Sequence, residues 1–371
     1  MKILYGVQAT GNGHITRARA LAKHFSAHKI EVDYLFSGRV KKDFFDMEAF
    51  GDWRCCRGLS FVHESGKLNI HKTLASNSIK ELLRDIKSLD LNNYDLVLTD
   101  FEPITAWAAK KQKKTCIGVG HQYAFNKKVP TRGDNFIARS IMRYFAPADI
   151  HLGLHWHHFG NTILPPIAEV HEHGGAVDQN KIVVYLGFES HDEIVQLLEP
   201  FKKHLFVVYG PYANYESFDN IQFKPLSRQG FQNDLATAGG VICNAGFELA
   251  SEAIQLGKKI LVKPLHGQME QLSNAKALED LQLGMAMDTL DHKAVKQWLG
   301  NFKAKQVIYP DVAGAIVEWL QNPEHLVIAQ AEKHTQEFAK KLWQQVKTGE
   351  INTIAPPKNT LPQPPIAWEF S

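Results

Sequence analysis

Residues 241–275 read VICNAGFELASEAIQLGKKILVKPLHGQMEQLSNA, and the order of residue types in this stretch decides the fold. Gly239-Gly240 leads into Val241-Ile242-Cys243, a short apolar run of the kind that forms strands buried on both faces of a parallel sheet. Asn244-Ala245-Gly246 then turns the chain, and residues 247–254 have helical spacing that stops at Gly257. A second strand at 260–262 runs into a polar loop ending in Glu270-Gln271. A turn after a parallel strand delivers the next helix N-terminus to the carboxyl edge of the sheet. Unpaired N–H groups and the helix dipole favour an anion there. Glu252 stands further along the same helix, either as a carboxylate accepting hydrogen bonds from a ribose diol or as an ordinary surface glutamate.

The rest of the chain alternates in the same way. Strands are expected at 3–7, 31–37, 95–99 and 115–119, with helices at 15–27, 79–89 and 105–111 between them. After residue 175 the pattern repeats, with strands at 182–186, 204–208, 221–224, 241–243 and 260–262. Such alternation implies parallel sheets with crossover helices, so the expected class is α/β with two Rossmann-like domains facing across a cleft. A chain of 371 residues also exceeds what one core usually supports. The expected divisions are 1–170, 176–330 and a closing segment 331–371, a polar helix at 329–347 followed by a proline-rich tail. Ile163-Leu164-Pro165-Pro166-Ile167 and the polar stretch after it read as the hinge.

Composition sets the broad class. A hydrophobic share of 44% and a charged share of 22% are ordinary for a globular protein. No apolar run is long enough to span a bilayer, the first residues read as a strand rather than a signal peptide, and the 4 cysteines lack metal-ligand spacing. A cytoplasmic location is the expectation. The net charge of +3 conceals an asymmetry, because the excess of Lys and Arg lies in the first half. There Phe136, Ile137, Ile141, Met142 and Phe145 recur at helical spacing around Arg139 and Arg143. The stripe fits either packing on its own domain, the commoner use, or peripheral contact with an anionic membrane. No nucleic-acid reading module accompanies the basic residues, so nucleic acid is not an expected partner.

A second turn, Gly11-Asn12-Gly13-His14-Ile15-Thr16-Arg17, follows the first strand. It lacks the third glycine of a dinucleotide fingerprint, since Thr16 and Arg17 stand near that position. The turn places His14 at a helix start facing the cleft. With an ordinary pKa of about 6.5, a histidine there suits a general base. Asp100, at the end of the strand at 95–99, is the carboxylate expected to orient it, with Glu102 as a nearby competitor; the alternative is that Asp100 caps the helix beginning near Pro103. His121 and Gln122 follow the strand at 115–119 and reach the same cleft, as acceptor contacts or, for His121, as a rival base. His151, His155, His157, His158, His171 and His173 cluster in sequence, but without the partners and helix context of a defined zinc site no metal is expected.

Taken together, Asn244-x-Gly246-x-x-x-x-x-Glu252, Pro264 and Glu270-Gln271-x-x-Asn274-Ala275 resemble the donor-site signature of GT-B glycosyltransferases. UDP-glycosyltransferases and the transferase that adds N-acetylglucosamine to the peptidoglycan lipid precursor are the most similar in pattern. The resemblance implies that Gly246 and the turn at Asn244 hold the diphosphate of a UDP-sugar, that Glu252 holds its ribose, and that Glu270 and Gln271 hold sugar hydroxyls. Gly187, in a loop after the strand at 182–186, is implied near the diphosphate. By the same resemblance residues 11–17, with Gly13 and Arg17, contact the acceptor, His14 and Asp100 form an inverting dyad, and no metal or other cofactor is needed. Many relatives carry His where Asn244 stands and Ser or Thr where Leu249 stands, so phosphate contact here is expected to rest on backbone N–H groups. The expected partners are a nucleotide-sugar donor and a hydroxyl acceptor such as a cell-envelope glycan or lipid-linked glycan. A sugar-nucleotide 2-epimerase and a non-catalytic nucleotide-sugar sensor are the alternatives.

Overall fold

A computed structural model describes residues 1–59, 63–64, 67–68, 78–168 and 175–349. The main sheet of the first half holds six strands: β1 Lys2–Gln8, β2 Glu31–Ser37, β3 Trp53–Cys56, β4 Leu96–Asp100, β5 Cys116–Gly120 and β6 Ile150–Gly153. They pair in the order β3-β2-β1-β4-β5-β6, every neighbour parallel. The second half holds β7 Asp178–Tyr185, β8 Leu205–Gly210, β9 Glu216–Phe218, β10 Ile221–Pro225, β11 Ala238–Cys243, β12 Lys259–Val262 and β13 Met285–Ala286. Their order is β9-β10-β8-β7-β11-β12-β13, parallel except for the short edge strand β9. With that edge set aside, both sheets run third, second, first, fourth, fifth, sixth, the doubly wound order of a Rossmann fold.

That order fixes where ligands go. In each sheet the winding reverses between the first and fourth strands, and a crevice opens beyond their carboxyl ends. In the first sheet this is the β1–β4 pair, where Val7 lies opposite Asp100. In the second it is β7–β11, where Tyr185 lies opposite Cys243. The loops that leave these ends are the segments singled out in the sequence, residues 9–14 and 101–102 on one side, 186–190 and 244–246 on the other.

The helices between the strands are α1 Asn12–Ala27, α2 Ile79–Ser88, α3 Pro103–Gln112 and α4 Phe136–Tyr144, then α5 His191–Leu198, α6 Arg228–Thr237, α7 Phe247–Gln255, α8 Met269–Asp280, α9 His292–Asn301, α10 Val312–Leu320 and α11 Ala331–Trp343. α1 begins three residues before its apolar spacing does, so His14 sits in its first turn. α7 ends where expected, with Gly257 at φ +64. The last two helices return to the first half. α10 packs on α1, where His24 Nε2 lies 3.3 Å from Asp311, and the Trp343 indole of α11 donates to the Ile163 carbonyl at 2.7 Å. The helix expected at 329–347 is shorter because Lys347–Gly349 pairs as a strand with Gln306–Ile308. His171 and His173, the rest of the hinge at 169–174 and the tail at 350–371 lie outside the described residues.

The apolar stripe of α4 divides. Ile141, Met142 and Phe145 pack against the first-half core, whereas Phe136 and Ile137 are 85% and 69% exposed. Packing on its own domain therefore accounts for only one end of the helix. No helix among the described residues is long and apolar enough to cross a membrane.

Candidate functional site

His14 and Asp100 meet at the first switch point, with His14 Nδ1 2.7 Å from Asp100 Oδ1. Asp100 is fully buried and is not a helix cap. That role belongs to Glu102, whose carboxylate accepts from the backbone N–H groups of Ile104 and Thr105 at 2.9 and 2.7 Å and from the Ser37 hydroxyl. Glu102 is thus removed as a rival partner for His14. Burial of Asp100 opposes its charge, but Arg17 and His14 outweigh it and hold the carboxyl below its usual range. Burial likewise opposes the His14 imidazolium; Asp100 wins there too, and the His14 pKa is raised above 6.5.

Arg17 and Gly13, expected at the acceptor, turn inward. Arg17 is 2% exposed and forks onto Asp100, Nε to Oδ2 and Nη2 to Oδ1, both at 2.7 Å. Its Nη1 pairs with Glu248 in the first turn of α7, from the other half of the molecule. Gly13 provides the room: a Cβ there would stand 2.3 Å from Glu248 Oε2. His121 is also a structural residue. It is wholly buried, with Nδ1 2.8 Å from the Leu154 carbonyl and Nε2 2.6 Å from Asn274 Oδ1. Burial pushes its pKa down, and both ring nitrogens are engaged within the chain.

The ring of His121 stacks on Phe247 with centroids 3.9 Å apart and planes 5° apart. Trp156 stacks on the same Phe247, and its indole donates to Ser251 Oγ at 2.8 Å. The first residue of α7 is therefore clamped by aromatic rings of the first half. Sequence reading missed this clamp, because Trp156 and Phe247 belong to no motif and Asn274 entered only as part of one. Gln122 bridges the halves as well: its Nε2 donates to Glu270 Oε2 at 3.0 Å and lies 3.5 Å from His14 Nε2. Its Oε1 is buried and has no hydrogen-bond partner among the described residues.

On the second sheet, Gly246 is the N-cap of α7 and no side chain caps that helix. α1, α8 and α11 likewise start without a side-chain cap, on Gly11, Gln268 and Gln330, whereas α2, α3, α5 and α6 start on Ser78, Glu102, Ser190 and Ser227, each bonded to the first turn. Gly246 has φ −72, and a Cβ there, or on Gly187, would meet nothing within 4 Å. At Gly246 neither backbone conformation nor packing within the chain calls for glycine, and the space in front of both residues is open. Asn244, expected at the diphosphate, instead ties the two loops together. Its Oδ1 accepts from the Gly187 N–H at 3.1 Å, and its Nδ2 donates to the Lys263 carbonyl at 3.1 Å and to Glu189 at 3.2 Å. The Gly187 N–H is thereby already engaged. Gln271, expected at sugar hydroxyls, braces the preceding loop by accepting from the Leu265 N–H at 2.9 Å. Glu252 is 9% exposed, which removes the surface-glutamate alternative. Among the described histidines, His155, His157 and His158 each accept a backbone N–H through Nδ1 and shape their own loop.

Comparison with known proteins places this arrangement. The family model for glycosyl transferase family 1 matches residues 1–303. An uncharacterized glycosyltransferase of Methanosarcina acetivorans is 28% identical over 158 residues, 39% of this chain; the match spans 38% of the length of that curated relative. Among solved structures, the kitacinnamycin glycosyltransferase superposes with a TM-score of 0.55 at 13% identity over 91% of this chain and 95% of its own. The spinosyn rhamnosyltransferase SpnG, complexed with thymidine diphosphate, gives 0.54 at 15% identity over 91% and 96%. At such identities the solved structures establish the GT-B fold, and the family match establishes descent. The chain belongs to glycosyl transferase family 1.

Proposed function

We propose that the protein transfers a sugar from a nucleotide diphosphate sugar, a UDP-sugar in the first instance, to a hydroxyl acceptor with inversion at the anomeric carbon. The observation that carries this reading is the His14–Asp100 dyad, 2.7 Å across, facing the uncapped N-terminus of α7 from the opposite half. In the reaction His14 Nε2 takes the acceptor proton while its Nδ1–H stays on Asp100, and the imidazolium that forms is stabilised by that carboxylate. The departing diphosphate gathers negative charge at the open space before Gly246, where the first N–H groups of α7 and the helix dipole meet it. The reading invokes no metal. Glu270 lies one hydrogen bond beyond Gln122, whose Nε2 stands 3.5 Å from His14 Nε2 and so lines the space beside the base. Glu252, nearly buried on the same helix, is assigned to the ribose. The acceptor is assigned to the basic first half, with a lipid-linked envelope glycan as the leading class.

The test is a panel of UDP-, dTDP- and GDP-sugars incubated with and without cell-envelope extract. Nucleotide release that requires acceptor is expected, with kcat lowered roughly 10²- to 10⁴-fold in His14→Ala. Isomerised donor without acceptor would identify an epimerase, and binding without turnover a sensor. Either result overturns the transferase reading.

A further inference from the structure

We infer that Arg17 and Glu248 are positioning residues, an ion pair between the two halves that sets the geometry and proton affinity of the Asp100–His14 dyad. The inference rests on the function proposed above and extends it to two side chains that touch no substrate in that scheme. Arg17 is one turn after His14 on α1, and its guanidinium spends Nε and Nη2 on Asp100 and Nη1 on Glu248. A single buried cation thus bridges carboxylates from both halves of the molecule. Asp100 belongs to the first half whatever the domain arrangement. Glu248 arrives only with α7.

Glu248 sets the charge of the cluster. Without it, Asp100 and Arg17 balance. When Glu248 joins them, the cluster around His14 carries one further negative charge, which favours the imidazolium and strengthens the base. The groups facing His14 are Asp100 at the end of β4, Arg17 on its own helix, Glu248 on α7 and, beyond Gln122, Glu270 on α8. Gly13 is an independent mark of the same contact. It lies in the first turn of α1, where a Cβ would collide with the Glu248 carboxylate.

The pair is tested by following the His14 imidazole by NMR across a pH titration in the full-length protein and in Glu248→Gln, alongside the pH dependence of kcat/KM. Glu248→Gln is expected to lower the His14 pKa by on the order of one pH unit and to move the acid limb of kcat/KM down with it. Gly13→Ala keeps every charge but displaces the Glu248 carboxylate, and a downward shift is expected there too; this variant decides the question if Glu248→Gln does not fold. A His14 titration equal to wild type in the folded variants overturns the inference, since a merely structural contact would lower stability and leave that titration alone. Wild-type protein that turns over no nucleotide sugar would overturn the proposed function, while the NMR titration would still decide the ion pair.

Discussion

At the scale of the residue, His14 makes opposite demands on stability and catalysis. Its pKa in the folded chain is raised above 6.5, because Asp100 outweighs burial. The folded state therefore holds the proton more tightly than the unfolded chain does. This contribution to stability is complete below pH 6.5 and is lost as pH rises through the folded pKa, with a slope of at most about 1.4 kcal/mol per pH unit. A general base must be neutral, so activity grows across the same window. Asp100 behaves the other way: its folded pKa is depressed, and its contribution is lost only in acid, as pH falls from about 3.8 through the folded value. It does not compensate near neutrality. Among the described residues six buried or half-buried histidines, His121, His151, His155, His157, His158 and His204, have pKa values lowered by burial and act in the opposite sense. The His14 contribution is therefore read as the difference in melting between wild type and His14→Gln from pH 6 upward, while kcat/KM is expected to rise. In His14→Gln that part of the melting slope should vanish, and a slope identical to wild type would remove His14 as its source.

At the scale of the element, legibility followed local chemistry. The strand, turn and helix at 238–255 were readable because an apolar run, a glycine and a helical period succeed one another without interruption. β3, with the sequence WRCC, and β6, with IHLG, were missed because neither is a run of branched apolar residues; both take their place from neighbouring strands. The dyad was readable because each partner ends a strand or begins a helix at a sheet edge. The inward turn of Arg17 was not, since its fork needs Asp100 from another element. α4 was half readable: the period gave the helix, but not the exposed end. Phe136 and Ile137 stand out beside Arg139, which pairs with Asp134, and near Arg143. Burying each apolar side chain is worth about 1.5–3 kcal/mol, or roughly tenfold in partitioning or more. If this end contacts a bilayer, Phe136→Ser and Ile137→Ser should each lower co-sedimentation with vesicles containing anionic phospholipid by at least that factor, without changing turnover of a water-soluble acceptor. Equal sedimentation of variant and wild type would exclude the contact.

At the scale of the molecule, the two halves are joined by contacts that no local pattern reveals. His121 meets Asn274, Trp156 meets Ser251, and Arg17 meets Glu248, each pair separated by most of a domain in sequence. The closing helix α11 adds a strap, because Trp343 is 3% exposed, stands edge-on to His158 with centroids 5.5 Å apart, and donates to the Ile163 carbonyl beside the hinge. Two variants separate its packing from its hydrogen bond. Trp343→Ala removes both and should cost about 3–5 kcal/mol, whereas Trp343→Phe keeps an aromatic ring, leaves the carbonyl unpaired, and should cost about 1–3 kcal/mol. Trp343 is not among the groups that face His14, and neither substitution changes a charge. Loosening the strap should therefore raise KM for the donor, which needs both halves in register, while the acid limb of kcat/KM stays in place. Denaturant titration gives the two stabilities and the pH profile gives the limb. A limb that moved in Trp343→Phe would mean that the strap acts on the dyad itself, and a denaturation midpoint unchanged in Trp343→Ala would mean that α11 does not hold the halves together.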